Sequence, residues 1–152
     1  MAQARRESGG FRGIQMEGHM NHDFNDLAET AAGTFGKAFV RRSGRAFSLV
    51  SGEGTISFAA LASDPALAIV RTRILDIGSM AGKDALALDA LEGNFFWSGT
   101  GGGTLSVGED GGLWLTERRP VEELAAPGGL EACLGSFART ASLWRERGAL
   151  HG

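Results

Sequence analysis

The 152-residue chain is long enough for one domain with one hydrophobic core, since domains commonly contain about 100 to 150 residues. Hydrophobic residues make up 43% and charged residues 22%, which is typical of a globular protein and unlike a disordered or collagen-like chain. The formal net charge is -3 and the arginines and lysines are scattered, which argues against nucleic acid as the main partner.

Cys133 is the single cysteine, so neither an internal disulfide nor a cysteine metal cage is expected, and a reducing cytoplasm is the simplest location. No apolar run approaches the roughly 20 residues that span a bilayer, and the N-terminus lacks the apolar centre of a signal peptide. Residues 1–20 show no apolar period and are predicted to be a flexible tail before a single domain over residues 21–152. The pair His19-Met20 resembles a cloning junction, and a native tail that pairs with another molecule is the alternative.

The first predicted helix spans Asn21–Phe39, where apolar residues recur every three or four positions on one face. Three strands of period two are predicted next. They are Ala46–Val50, Thr55–Leu61 and Leu67–Ile77. The third strand is partly apolar on both faces, which predicts cover by the protein's own helices on one face and by a partner on the other.

The stretch Lys83–Leu115 organises the rest of the chain. Its helix runs from Lys83 to about Gly93 and is apolar on nearly every side, so it must be buried on every side. In a chain this small a second copy is the simplest cover, and we predict a homodimer. At least one of the adjacent aromatics Phe95, Phe96 and Trp97 should also face the second chain, because aromatics are enriched at such contacts.

The last third of the chain predicts a hairpin and a helix. Strands Thr104–Val107 and Leu113–Thr116 flank an Asp-Gly pair, which is a strong hairpin signal. An amphipathic helix closes the chain over Leu130–Arg147. The predicted order is therefore helix, three strands, helix, two strands, helix, which makes an α+β fold with an antiparallel sheet packed by helices.

We find no catalytic, cofactor-binding or metal-binding motif. The run Gly99–Thr104 invites comparison with a phosphate-binding loop, but it follows a helix, precedes a strand and lacks the Gly-Lys-Ser/Thr ending. The histidines have no metal-ligand spacing with Cys133 and are expected to be solvated. The thiol of Cys133 has no candidate base, and the acidic residues of the central helix are interpreted as solvated charges.

Three segments together carry a resemblance to a known family. They are the apolar helix ALALDALEGN, the stretch TLSVGEDGGLWLTERRPVEEL after the Gly-rich break, and the closing helix LEACLGSFARTASLWRERG. With the order of elements, they resemble the small acidic homodimeric chaperones of bacterial type III secretion systems. The resemblance covers roughly residues 21–148, and it depends on the combination, since no single motif is diagnostic.

The resemblance implies a bacterial cytoplasmic homodimer that is not an enzyme and needs no cofactor. Its partners would be a second copy, the N-terminal segment of a secreted effector held extended for export, and the export ATPase, with no nucleic acid and no membrane insertion. By position it implies a dimer interface of Leu86, Leu88, Leu91, Phe95 and Trp97. It implies an effector-binding surface of Phe24, Leu27, Phe35, Phe47, Leu49, Phe58 and Ile69, although a plain core role is the alternative for each residue.

Two other functions stay open at this point. The first is a homodimeric adaptor or regulatory protein of the same fold that binds a folded partner. The second is a small-ligand-binding domain that uses the Gly-rich break.

Overall fold

The computed structural model describes residues 22–52, 54–97 and 99–151. The predicted tail over residues 1–20 lies outside these residues. Within them, helices pack on an antiparallel sheet, so the predicted α+β class is confirmed.

Four α-helices and six strands make up the described domain. The helices are α1 Phe24–Phe35, α2 Lys83–Asn94, the short α3 Val121–Ala125 and α4 Gly129–His151. The strands are β1 Phe39–Ser43, β2 Ala46–Ser51, β3 Gly54–Ala60, β4 Leu67–Asp76, β5 Thr104–Val107 and β6 Gly112–Pro120. The strand order is β1-β2-β3-β4-β6-β5 and every neighbouring pair is antiparallel, so β1 and β5 form the two edges.

The first edge strand differs from the prediction, which extended the first helix to Phe39. The helix ends at Phe35 because the next residue, Gly36, has a φ of 54°, which glycine adopts without strain. One 3₁₀ turn follows, and Phe39 then begins β1 and pairs with Leu49 of β2. Phe35 and Phe39 are four residues apart, which is the spacing of neighbours on one face of a helix. The sequence pattern therefore predicted one more helical turn, although the backbone at Phe39 is already extended.

The core lies between one face of the sheet and the helices. In the centre of β4, Val70 and Thr72 point into this core and are buried, whereas Arg71 and Arg73 point to the opposite face and are exposed. Aromatic rings of α1 and the sheet are in contact, with the Phe24 and Phe47 centroids 5.5 Å apart. The largest fully buried side chains are Trp144, Phe47, Phe58, Phe137, Leu27, Leu86, Leu113, Leu115, Leu124, Leu130, Val70 and Val121.

A bulge explains most of the two-faced apolar pattern of β4. The register of β4 against β6 shifts between Arg73 and Leu75, so the alternation of side chains moves by one residue there. Ile74 is buried at the shift, and Leu75 beyond it packs against the core. Leu67 and Ile69 are left as half-buried apolar side chains on the outer face of β4, so the predicted second cover is needed less than the sequence indicated.

The Gly-rich break wraps around Trp144 of α4. The indole Nε1 donates a hydrogen bond to the backbone carbonyl of Gly99 at 2.8 Å. A Cβ on Gly93 of α2 would lie 2.7 Å from Cζ2 of Trp144, so only glycine lets the two helices approach this closely. Gly101 and Gly102 both have positive φ angles, which allows the sharp return into β5. These contacts explain why glycine is needed at these positions without any role in binding a phosphate.

Candidate binding surfaces

The outward side of α2 and the adjoining edge of the sheet carry an apolar patch, which we call the α2 patch. Its side chains keep a large part of their surface exposed in the single chain. They are Leu88 at 57%, Leu91 at 67%, Phe95 at 68%, Trp97 at 55% and Val107 of β5 at 52%. Isolated exposed apolar residues are normal on protein surfaces, but a contiguous group of large ones marks an interaction site.

Asn94 attaches α2 to the edge strand β5. Its side-chain amide donates to the carbonyl of Leu105 at 3.0 Å, and its Oδ1 accepts from the Leu105 backbone N–H at 2.8 Å. One side chain therefore satisfies both backbone groups of Leu105 that face away from β6. An added strand cannot pair with Leu105 while Asn94 holds both groups.

The backbone at Trp97 is strained. Its φ is 57°, and it is the one described residue other than glycine with a positive φ. This left-handed conformation costs roughly 1–2 kcal/mol for a residue with a Cβ. Such strain is typical of functional positions, and here it holds a half-exposed indole in the α2 patch.

The structure separates the five predicted dimer residues. Leu88, Leu91, Phe95 and Trp97 lie in the α2 patch, so their role in a dimer stays a prediction with a suitable surface. Leu86 is completely buried in the protomer core and has no surface to offer a second copy. The prediction of a helix buried on every side missed that one side of α2 already packs on the protein's own core.

A groove of about 200 Å³ opens between the end of α1, strands β2 and β3, and α4. We call it the α1/α4 groove. It forms because α1 stops at Gly36, which leaves the sheet beneath uncovered on that side of α4. Its lining residues are Phe35, Ala38, Leu49, Val50, Ser51, Gly54, Ile56, Thr72, Leu134, Ala138, Ala141 and Arg145.

Two of the seven predicted effector-binding residues, Phe35 and Leu49, line this groove. Ile69 is half-buried and pairs with Arg118 on the opposite face of the sheet, so it cannot belong to the same site. The other four residues are buried in the core and have no surface for a partner. They are Phe24, Leu27, Phe47 and Phe58.

Several groove residues carry no clear signal in the sequence. Leu134 was available from the apolar stripe of the closing helix, but Ala138 and Ile56 are too small or too ordinary to draw notice. Arg145 carried no signal at all, because an arginine in an amphipathic helix is normally a solvated charge. Only the tertiary arrangement brings its guanidinium to the groove.

The described residues contain little that could support chemistry. Burial raises the pKa of the Cys133 thiol to about 11, and the carboxylates of Glu117 and Glu123 act in the same direction against the nearby Arg119. The thiol is therefore protonated at neutral pH and is a poor nucleophile. In the described ranges no group of three His, Cys, Asp or Glu residues could hold a metal ion.

One expected solvated histidine has a partner instead. Nε2 of His151 lies 2.9 Å from a carboxylate oxygen of Asp89, which links the end of α4 to α2. Both groups were expected to be solvated, and each keeps part of its side-chain surface exposed, 26% for His151 and 37% for Asp89. Along the described parts of the chain, the helices are too short or too polar to cross a bilayer.

The fold is shared with chaperones of type III secretion. Over about 80% of this chain, a chain of the ExsC–ExsE complex matches with a TM-score of 0.66 and 18% identity, covering 90% of that chain. The HopA1–SchA chaperone–effector complex matches with a TM-score of 0.56 and 15% identity, covering 79% of this chain and 90% of the other. The Yersinia pestis type III secretion chaperone SycH, solved with a stable fragment of YscM2, matches with a TM-score of 0.59 and 14% identity, covering 80% and 98%.

The sequence itself supplies the family. The model of the Tir chaperone protein (CesT) family matches residues 66–145, which is more than half of the chain. The chain therefore belongs to the CesT family of chaperone proteins, and the resemblance to secretion chaperones is confirmed. This is a chaperone family and not a class of enzymes. No sequence among the curated proteins matches the chain.

Proposed function

We propose that this protein is a bacterial cytoplasmic chaperone of type III secretion that acts by binding alone. As a homodimer it would hold the N-terminal segment of a secreted effector extended and deliver it to the export apparatus, where the ATPase is a further partner. The observation that carries the proposal is the α1/α4 groove, an open apolar site on a fold shared with chains solved in complexes, among them the HopA1–SchA chaperone–effector complex.

The groove suits apolar side chains of an unfolded segment. Its polar Thr72 is already satisfied, because its hydroxyl donates to the backbone carbonyl of Thr55 at 2.8 Å. Each buried Val, Leu, Ile, Phe or Met side chain contributes about 1.5–3 kcal/mol. Ordering a disordered segment costs about 2–5 kcal/mol, so one anchor is not enough and the contact must continue beyond the groove.

The edge strand β1 offers a place for that continuation. One side of β1 pairs with β2, and β1 ends the sheet. An extended peptide can add to such an edge by main-chain hydrogen bonds. The opposite edge is less suitable because the Asn94 side chain already hydrogen-bonds both the N–H and the carbonyl of Leu105 in β5. Since Phe39 begins β1 directly after groove residue Ala38, one extended segment could contact both features.

The α2 patch supports the homodimer. It lies on the other edge of the sheet from β1, so association through it would leave the β1 edge accessible in each protomer. It holds large apolar side chains, including Phe and Trp, which are enriched at protein interfaces. A second copy would remove these side chains from water without occupying groove residues.

The experiment uses a variant that fills the groove. Tagged protein is incubated with lysate of the source bacterium under secretion-inducing conditions, and retained proteins are mapped by limited proteolysis. We expect protection confined to an N-terminal segment of the retained protein. Ala138→Arg should abolish retention because it places a long charged side chain in the groove, whereas Ser142→Arg, exposed on the same helix, should not.

Two results would contradict the proposal. One is equal retention by Ala138→Arg and the unmodified protein when circular dichroism shows both folded. The other is a retained protein that is protease-resistant over its whole length without the chaperone, which would indicate an adaptor for a folded partner.

A further inference from the structure

Arg145 is the charged residue among the side chains that line the α1/α4 groove. Its guanidinium is held in place by backbone carbonyls of the β4 bulge. Nε donates to the carbonyl of Ile74 at 3.0 Å, and Nη2 donates to the carbonyl of Arg73 at 3.3 Å. Both carbonyls belong to residues at the register shift of β4, so Arg145 is fixed at the groove by the fold itself.

Arg145 has no anionic partner in the described chain, unlike Arg73 and Arg119. Arg73 pairs with Asp110, and Arg119 pairs with Glu117 and Glu123. Among described residues no carboxylate lies within salt-bridge distance of Arg145, and its two recorded bonds are to neutral carbonyls. Five N–H bonds are available on a guanidinium, so capacity for a further acceptor remains.

The surroundings make this positive charge selective. Arg145 is only half-exposed and borders the apolar surface of Leu49, Ile56 and Ala141. A charge beside apolar walls is screened less than one in open water, so it attracts a carboxylate more strongly. Arginine also presents a planar fork that matches the two oxygens of a carboxylate.

We propose that the α1/α4 groove selects segments that combine an apolar anchor with an aspartate or glutamate, and that the carboxylate pairs with Arg145. This rests on the proposed function, since it names the kind of segment that the groove would hold. In an extended segment every second side chain points to the same face, about 6.5–7 Å apart. The acidic residue is therefore expected an even number of positions from the anchor.

The test begins with a random 12-residue peptide library selected on the full-length protein. The strongest binder is then synthesised twice, once as selected and once with its acidic residue changed to the matching amide. We expect the selected set to be enriched in Asp or Glu at even spacing from an apolar residue. The amide peptide should bind roughly tenfold more weakly, because a charge-assisted hydrogen bond is lost.

Two variants complete a double-mutant cycle. Arg145→Gln should bind the acidic and amide peptides equally well. Arg139→Gln is the matched control, since Arg139 is an exposed arginine of α4 outside the groove lining, and it should keep the tenfold preference. If Arg145→Gln fails to fold because the bulge loses its support, the comparison of the two peptides on the unmodified protein still decides the question.

The outcomes separate this inference from the proposed function. Peptides that bind and are excluded by Ala138→Arg, but show no preference for the acid, overturn the role of Arg145 and leave the groove as the binding site. Absence of any groove-dependent peptide binding removes the support for both.

Discussion

The α2 patch makes a quantitative prediction for Leu88. The side chain is 57% exposed in the protomer, so a dimer through this patch would bury about half of a leucine on each copy. Full burial of a leucine contributes about 1.5–3 kcal/mol, and in a two-fold symmetric interface the residue is buried twice. Leu88→Ala should therefore weaken the dimer by about 2–3 kcal/mol, which is roughly a 30- to 150-fold rise in the dissociation constant. Leu88→Asp should dissociate it at micromolar concentration, because the charge would be buried without a partner.

The assay is sedimentation equilibrium over a dilution series, with light scattering to give the mass. Leu143→Ala is the control, since Leu143 is a 42% exposed leucine of α4 that is not part of the α2 patch. Its dissociation constant should equal that of the unmodified protein. A Leu88→Asp protein that stays dimeric with an unchanged dissociation constant would refute the assignment of the patch.

Leu86→Ala gives a contrast: it should lower the stability of the protomer by about 2–5 kcal/mol, because it leaves a cavity in the core.

Two further predictions concern packing and pH. Gly93→Ala should destabilise the fold by about 1–3 kcal/mol in urea unfolding, because the added methyl group overlaps Trp144. The control Gly33→Ala in α1 meets nothing within 4 Å and should stabilise the fold by about 1 kcal/mol. Changes in unfolding free energy of the same sign for both variants would contradict the packing described. Burial raises the pKa of the Cys133 thiol from 9.0 to about 11. The protonated thiol therefore contributes fully to the free energy of unfolding below pH 9. As the pH rises to 11 this free energy should fall by about 2–3 kcal/mol relative to that of Cys133→Ala. A thiol that reacts with iodoacetamide at pH 8 in the folded protein would disprove that burial.

Much of the fold could be predicted from local pattern. The central helix from Lys83, the hairpin around Asp110 and Gly111, and the closing helix with its apolar stripe were all placed close to their observed bounds. Their signals are short-range, since helical period, strand period and turn chemistry each depend on a few neighbouring residues. The family resemblance rested on the same segments, and the match over residues 66–145 covers them.

The sequence by itself determined which side chains are apolar, but not which of them form the core and which face a partner. Leu86 and Leu88 are the same type of residue and lie two positions apart, yet Leu86 is completely buried and Leu88 is 57% exposed. The difference arises because α2 packs one side on the sheet, a long-range contact that no local pattern specifies.

Tertiary structure alone likewise decided the candidate site. Phe39 became an edge strand when Gly36 ended α1, and that early end opened the groove between α1 and α4. Arg145 reached the groove only because the β4 bulge, about 70 residues earlier in the chain, presents two carbonyls to its guanidinium. Helices and turns follow from neighbours in sequence, whereas grooves and fixed charges follow from neighbours in space, which only the folded chain brings together.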